Sequence, residues 1–171
     1  MKPVINLTEI ELSPLPAGIA PPESMADRYE PRMGSIGTRI GAQKLGYNVT
    51  ALAPGKRGFP RHNHRVNEEM FFVLEGAGEI RIGDAVYPIQ AGDVIACPPG
   101  GPEAAHQIAN TGEVELKYLA VSTKMLPEIV EYPDSGKFGI LAEFAGAPGE
   151  KARGFRFVSR ESESAPYWEG N

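Results

Sequence analysis

Three histidines occur in 171 residues, and two of them, His62 and His64, stand two positions apart. Residues i and i+2 of an extended strand point to the same face, so both imidazoles can reach one point in space. Glu69 follows across a short loop and opens the next apolar run, where a hairpin brings its carboxylate beside the pair. His106 comes later, after a proline-glycine turn. Three neutral imidazoles and one carboxylate make a donor set for Fe(II), Mn(II), Zn(II), Ni(II) or Cu(II). Such a set leaves coordination positions for water or substrate oxygens, as a catalytic centre requires. It predicts one divalent metal ion as cofactor, with zinc, manganese, iron and nickel the leading choices. Taken alone, the His-x-His pair reads as readily as an accident of a proline-rich loop.

Around this set lie residues with weaker claims. Tyr47 and Tyr118 are candidates for binding substrate through their hydroxyls, and equally for packing in a wall. Arg57 is a third substrate-binding candidate, since a guanidinium can clamp an anion with two hydrogen bonds. Arg61 and Arg65 have the strand parity opposite to the histidines, which sends them toward solvent or an interface. Glu68 competes with Glu69, but alternation groups Glu69 with the apolar Phe71 and Val73. The general base is not identified; Glu68 and the tyrosines are the candidates. Cys97 reads as a small buried apolar residue. Gly76-Ala77-Gly78 lacks the third glycine and following helix of a dinucleotide site. No serine is placed for nucleophilic catalysis, because every histidine is assigned to metal.

The elements that must position these residues are short strands. The chain contains 20 glycines and 16 prolines, a load that favours turns over long helices. Strands are predicted over 45–53, 69–75, 79–82, 85–90, 94–97, 105–109 and 114–122, punctuated by Pro54-Gly55, Gly83-Asp84, Gly92-Asp93 and Pro98-Pro99-Gly100-Gly101. This spacing predicts an all-β, antiparallel sandwich or barrel. Six prolines within residues 1–40 predict an extended N-terminal arm, with at most a helical turn or two near 22–29. The barrel core is placed at 41–125 and a turn-rich C-terminal extension at 126–171, packing on the barrel or on a partner subunit. Met70, Phe72 and Leu74 make the second face of their strand apolar as well, so the arms or another subunit must cover it. A homodimer is expected.

Composition narrows the function. No apolar run approaches the roughly 20 residues of a transmembrane helix, and no membrane partner is expected. One cysteine cannot form an intrachain disulfide, and with no apolar signal core at the start the expected location is cytoplasmic. A net charge of −5 argues against nucleic acid as a partner. Residues 31–67 nevertheless contain seven Lys and Arg and no acid, leaving the rest of the chain at net −12. That block either attracts an anionic small molecule or meets the chain's own acids or a neighbouring subunit.

Two motifs in order give the pattern a name. His62, His64, Glu69 and Gly76 match H-x-H-x4-E-x6-G, while Gly92, Pro98, Gly100, His106 and Asn110 follow in the order G-x5-P-x-G…H-x3-N. Over about residues 45–122 the sequence resembles the cupin superfamily. Two departures stand out: Gly55 precedes His62 by seven positions rather than six, and five residues rather than two separate Gly100 from His106. The arms and the segment at 131–137 look like a group of small bacterial cupins with no settled function. The resemblance implies a double-stranded β-helix, or jelly-roll barrel, with His62, His64, Glu69 and His106 as ligands of a metal held between the motif strands. Asn110 is expected to support a turn. The functions this implies are an isomerase or epimerase acting on a sugar or sugar phosphate, an Fe(II)-dependent dioxygenase, or a non-catalytic module that binds a small ligand or metal.

Overall fold

The computed structural model describes residues 2–147 and 149–170. Thirteen strands carry the fold: β1 (Ser13–Pro14), β2 (Arg32–Ser35), β3 (Leu45–Leu52), β4 (Asn63–His64), β5 (Glu69–Glu75), β6 (Ala77–Ile82), β7 (Ala85–Gln90), β8 (Val94–Cys97), β9 (His106–Ala109), β10 (Leu116–Thr123), β11 (Glu128–Tyr132), β12 (Lys137–Phe144) and β13 (Arg153–Arg160). They form three antiparallel sheets, in the orders β1-β2-β3-β10-β5-β8, β13-β12-β11-β4 and β7-β6-β9. Among the described residues the only α-helix is the single turn Gly37–Ile40. Among those residues, too, no helix is long and apolar enough to cross a membrane.

The barrel closes because alternate residues of its strands face one another. In β5, Phe71 and Val73 are buried; in β10, Leu116, Tyr118 and Ala120 are buried. With Leu52, Ile80, Ile89, Cys97 and Ile108 they fill one continuous core, and each fully buried leucine or isoleucine contributes roughly 1.5–3 kcal/mol. Gly76 explains its place in the motif. Its φ is +79°, and a Cβ there would press into the carbonyl oxygen of Glu115, so the passage from β5 to β6 requires glycine. Asn110 supports the turn after β9, as expected. Its side-chain amide donates to the carbonyls of Leu52 and Val114, at 2.8 Å each, and its oxygen accepts from Gly112 N–H at 3.0 Å.

The outer face of β5 is half-buried at Met70, Phe72 and Leu74. The N-terminal arm covers part of this side, with Leu7, Ile10 and Leu12 lining a depression against Val49 and Leu74. The arm is anchored by β1 pairing with β2 and holds two short 3-10 turns, at Leu7–Glu9 and Glu23–Met25.

The stretch after Pro127 differs from its turn-rich reading, because it forms β11, β12 and β13. The turn residues Pro133-Asp134-Ser135 are real, but they connect two strands as a 3-10 turn that ends on Gly136 with φ +60°. β11 lies against β4, pairing Val130 with His64 and Glu131 with Asn63.

Candidate metal centre

Backbone pairing places the histidines. His62 N–H donates to His106 O at 3.1 Å, and His106 N–H returns to His62 O at 2.8 Å, so these two residues face each other across a bridge. His64, two residues on, pairs with Val130 and accepts at its carbonyl from Gly100 N–H at 2.8 Å. Between them Asn63 points away, its buried amide donating to Gly100 O and Glu131. Glu69 opens β5 between Cys97 of β8 and Ser122 of β10. The five residues from Gly101 to Ala105 form a 3-10 turn at Pro102–Ala104, which uses the extra length and still delivers His106 beside the others.

All three Nε2 atoms aim at one oxygen. Glu69 Oε2 lies 3.0 Å from His106 Nε2, 3.5 Å from His64 Nε2 and 3.8 Å from His62 Nε2. Ligand atoms of His62, His64 and Glu69 lie within 4.8 Å of one another, close enough for one ion. Among the described residues, both ring nitrogens of His64 are buried without a hydrogen-bond partner, and Nε2 is the one that faces Glu69. A buried nitrogen aimed into such a cluster without a partner fits a metal ligand. Burial, with His106 next to it, lowers the His62 pKa to about 4, which keeps this imidazole neutral and able to bind metal. Burial also opposes charge on His64, but the Glu69 and Glu128 carboxylates outweigh it and raise its pKa. For Glu69, burial pushes the carboxyl up, yet the hydrogen bond with His106 and the closeness of the His64 and His62 imidazoles hold it well below the usual carboxylate range.

The cluster forms one end of a cavity of about 250 Å³ inside the barrel. Phe71, Phe59, Met33 and Ile108 give it apolar walls, and Asn48, Thr50, Gln107 and Tyr118 bring polar groups. Burial raises the Tyr118 hydroxyl pKa, with a Thr50 hydrogen bond working the other way, so it is a donor at neutral pH. A Cβ at Gly58 would lie 2.8 Å from that hydroxyl, so Gly58 makes room for it.

The remaining candidates lie elsewhere. Tyr47 does not line this cavity; it lines a neighbouring depression with Thr38 and Leu45, one that Met33 and Asn48 also border. Arg57 sits in backbone bridges with Tyr29 and Ala109 and is not among the cavity-lining residues. Glu68 is exposed, its N–H donating to Thr123 Oγ1. Much of the basic block meets the chain's own acids: Arg61 pairs with Asp134 at 2.8 Å, Arg65 with Glu131 at 2.8 Å, Lys56 with Glu30 at 3.7 Å, and Arg32 with Glu115. Residues not singled out from the sequence include Asn48, Thr50 and Gln107 in the cavity lining and two from β11. The Tyr132 ring centroid lies 6.2 Å from that of His62, and the buried Glu128 stands behind His64. The one local signal for Glu128 is its alternation with Val130, an acid on a strand face that otherwise goes inward.

Residues 48–122 match the family model of the cupin domain, Cupin_2. An uncharacterized protein of Methanocaldococcus jannaschii is 38% identical over 61 residues, 36% of this chain and 46% of that one. An oxalate-binding protein of Thermotoga maritima is 37% identical over 60 residues, 35% of this chain and 47% of that one. The matched stretch thus spans about half the length of these two relatives. A solved structure of a sugar phosphate isomerase from a cupin superfamily, from Silicibacter pomeroyi, is 25% identical, covers 95% of each chain and superposes with a TM-score of 0.76. The motif histidines, the antiparallel barrel around them and these likenesses agree: residues 48–122 match a cupin domain, and the fold is that of structural neighbours in the cupin superfamily.

Proposed function

We propose that this chain binds one divalent metal ion through Nε2 of His62, His64 and His106 and the carboxylate of Glu69. We propose further that it acts there on a small oxygenated metabolite, a sugar or sugar phosphate, as an isomerase or epimerase. The observation that carries the reading is the convergence of three Nε2 atoms on one carboxylate oxygen at the end of an internal cavity. The resemblance to a protein named sugar phosphate isomerase supports the substrate class. When bound, the metal would polarise neighbouring carbonyl and hydroxyl oxygens.

The chain's own residues do the rest. Asn48, Thr50 and Gln107 offer hydrogen bonds that orient hydroxyls, while Phe71 and Ile108 exclude water. Tyr118 is the one titratable lining residue besides the four proposed ligands, and its hydroxyl, held protonated by burial, would donate a hydrogen bond to a substrate oxygen. The lining holds no Lys or Arg, so on this reading a sugar phosphate would enter by its carbonyl end and leave its phosphate outside.

The same cation-free lining favours a second reading. A cavity whose positive charge comes from the metal alone suits a small chelating acid, and one relative is named an oxalate-binding protein. On that reading the chain is a binding module without turnover. We also propose a homodimer, supported by the half-buried Met70, Phe72 and Leu74 on the outside of β5; sedimentation at micromolar concentration tests it, and a monomer rejects it.

The direct test is elemental analysis of untagged protein beside His62→Ala. About one equivalent of metal in the parent, lost in the variant, is the expected result; full metal content in the variant would remove the proposed site. Assaying loaded protein with a panel of sugar phosphates, with Tyr118→Phe as the variant that keeps metal and loses turnover, then separates isomerase from binding module.

A further inference from the structure

The three imidazoles point the same way, but what stands behind each ring differs. Behind His62, Nδ1 lies 2.8 Å from the carbonyl oxygen of Pro60. Behind His106, Nδ1 lies 3.3 Å from the carbonyl oxygen of Ala104. Behind His64 is a carboxylate: Nδ1 lies 3.5 Å from Glu128 Oε2.

Glu128 is 2% exposed, and nearly every neighbour donates to it. Its Oε1 accepts from the N–H groups of Arg65 at 3.1 Å, Val66 at 3.2 Å and Ile129 at 2.8 Å. Its Oε2 accepts from Asn67 N–H at 2.8 Å and from the Asn67 side-chain amide. Held in this nest, it presents an acceptor oxygen 3.5 Å from Nδ1, too loosely aligned for a hydrogen bond as it stands. It is near enough that an imidazole bound to metal through Nε2 turns its Nδ1–H toward the carboxylate. Nε2 is then left with its lone pair aimed at the Glu69 cluster. A carboxylate behind a ligating imidazole orients the ring and strengthens its other nitrogen as a donor, more than a peptide carbonyl does.

We propose that Glu128 is a positioning residue for the metal centre, fixing the tautomer and orientation of His64 and making it the strongest of the three imidazole donors. The proposal rests on the metal reading above. The same carboxylate gathers Arg65, Val66 and Asn67, which join the strand of His64 to the strand of Glu69. One residue of the C-terminal sheet therefore sets both the direction of one ligand and the loop leading to the next.

The test starts with metal-free parent protein, at a pH high enough that the His64 ring is neutral despite its raised pKa, and long-range proton–nitrogen NMR of the imidazoles. His64 is expected as the Nδ1–H tautomer. In Glu128→Gln the preference shifts toward Nε2–H, and zinc affinity measured against a competing chelator falls roughly 10–100-fold. Asn67→Ala, which removes a loop contact but not the carboxylate, leaves the His64 tautomer unchanged; a purely structural role for Glu128 would give the two variants the same tautomer result. An Nε2–H tautomer at His64 in the parent overturns the proposal even where Glu128→Gln does not fold. So does a folded Glu128→Gln protein with unchanged tautomer and zinc affinity. Failure of the metal reading looks different: a parent with the Nδ1–H tautomer that takes up no zinc.

Discussion

The barrel and the C-terminal sheet are both antiparallel, yet they bury their strands to opposite degrees. In β10 every second residue from Leu116 to Ala120 is buried, while in β13 seven of eight residues are exposed. β10 has a strand on each side and a core beneath it. β13 is an edge, and its pairing with β12 sets Phe157 opposite Ile140 and Phe155 opposite Ala142 on one face. Phe144 joins them, its ring centroid 5.7 Å from that of Phe155. The sheet's other end behaves like the barrel: Glu128 and Val130 of β11 are buried. Stability and site geometry thus come from different parts of the molecule. The barrel supplies the core and most of the ligands, β4 ties the C-terminal sheet to the site through His64, and β11 beside it is the one strand after Pro127 that reaches the ligands.

The sharpest way to probe that contrast is chemical. Burial, with Glu69 beside it, pushes the Cys97 thiol up from about 9 to about 12. The thiolate is the reactive form, so at pH 8 the native protein should label with iodoacetamide about a thousandfold more slowly than an ordinary thiol. The rate should climb as pH rises toward 12. A cysteine placed in the C-terminal sheet, in Cys97→Ala/Val158→Cys, should label at the ordinary rate, because Val158 is 47% exposed. Fast labelling of native Cys97 would mean that the barrel opens far more easily than its packing suggests.

A second effect is on stability. Leu116 is fully buried in the core, and Leu116→Ala should cost roughly 2–5 kcal/mol, depending on how far the cavity collapses. Urea titration of metal-free protein measures it, and a loss below about 1 kcal/mol would contradict a close-packed barrel.

The same division governs what the residues alone could tell. Barrel strands were legible because each alternates toward one core and stops at a glycine turn, and Gly76 shows why: its conformation and its contact with Glu115 admit no side chain. Glu69 could be preferred over Glu68 by parity, and the structure points Glu69 at the histidines while Glu68 faces solvent. Parity also explains Tyr47. Leu52 is a core residue of β3, so Thr50 and Asn48 share its inward face, and Tyr47 takes the other. Arg57 illustrates a different limit, since its proximity in sequence to His62 carries no information about where a loop residue turns. Glu128 leaves the faintest trace in the sequence. It acts on His64 from 64 positions away, through a strand pairing and a nest of loop N–H groups that no local pattern encodes. Its neighbours Glu131 and Asp134, which hold Arg65 and Arg61, likewise became visible only once β11 lay beside β4.

The smallest predicted effect concerns the open aromatic face. Phe157 is 45% exposed and rests mainly on Ile140 and Phe155 of its own sheet. Truncation to alanine removes partly exposed apolar surface without opening a core cavity, so Phe157→Ala should cost less than about 1 kcal/mol. The thermal midpoint should fall by the same few degrees at low and high protein concentration. That independence is the informative part. A face that seats a second copy loses contact area in the dimer, and its truncation then weakens association in addition to folding. A loss that grows as the protein is diluted would therefore move the subunit contact from the outer side of β5 to the aromatic side of β13. The C-terminal sheet would then be a buried layer of an assembly, and its contrast with the barrel would disappear.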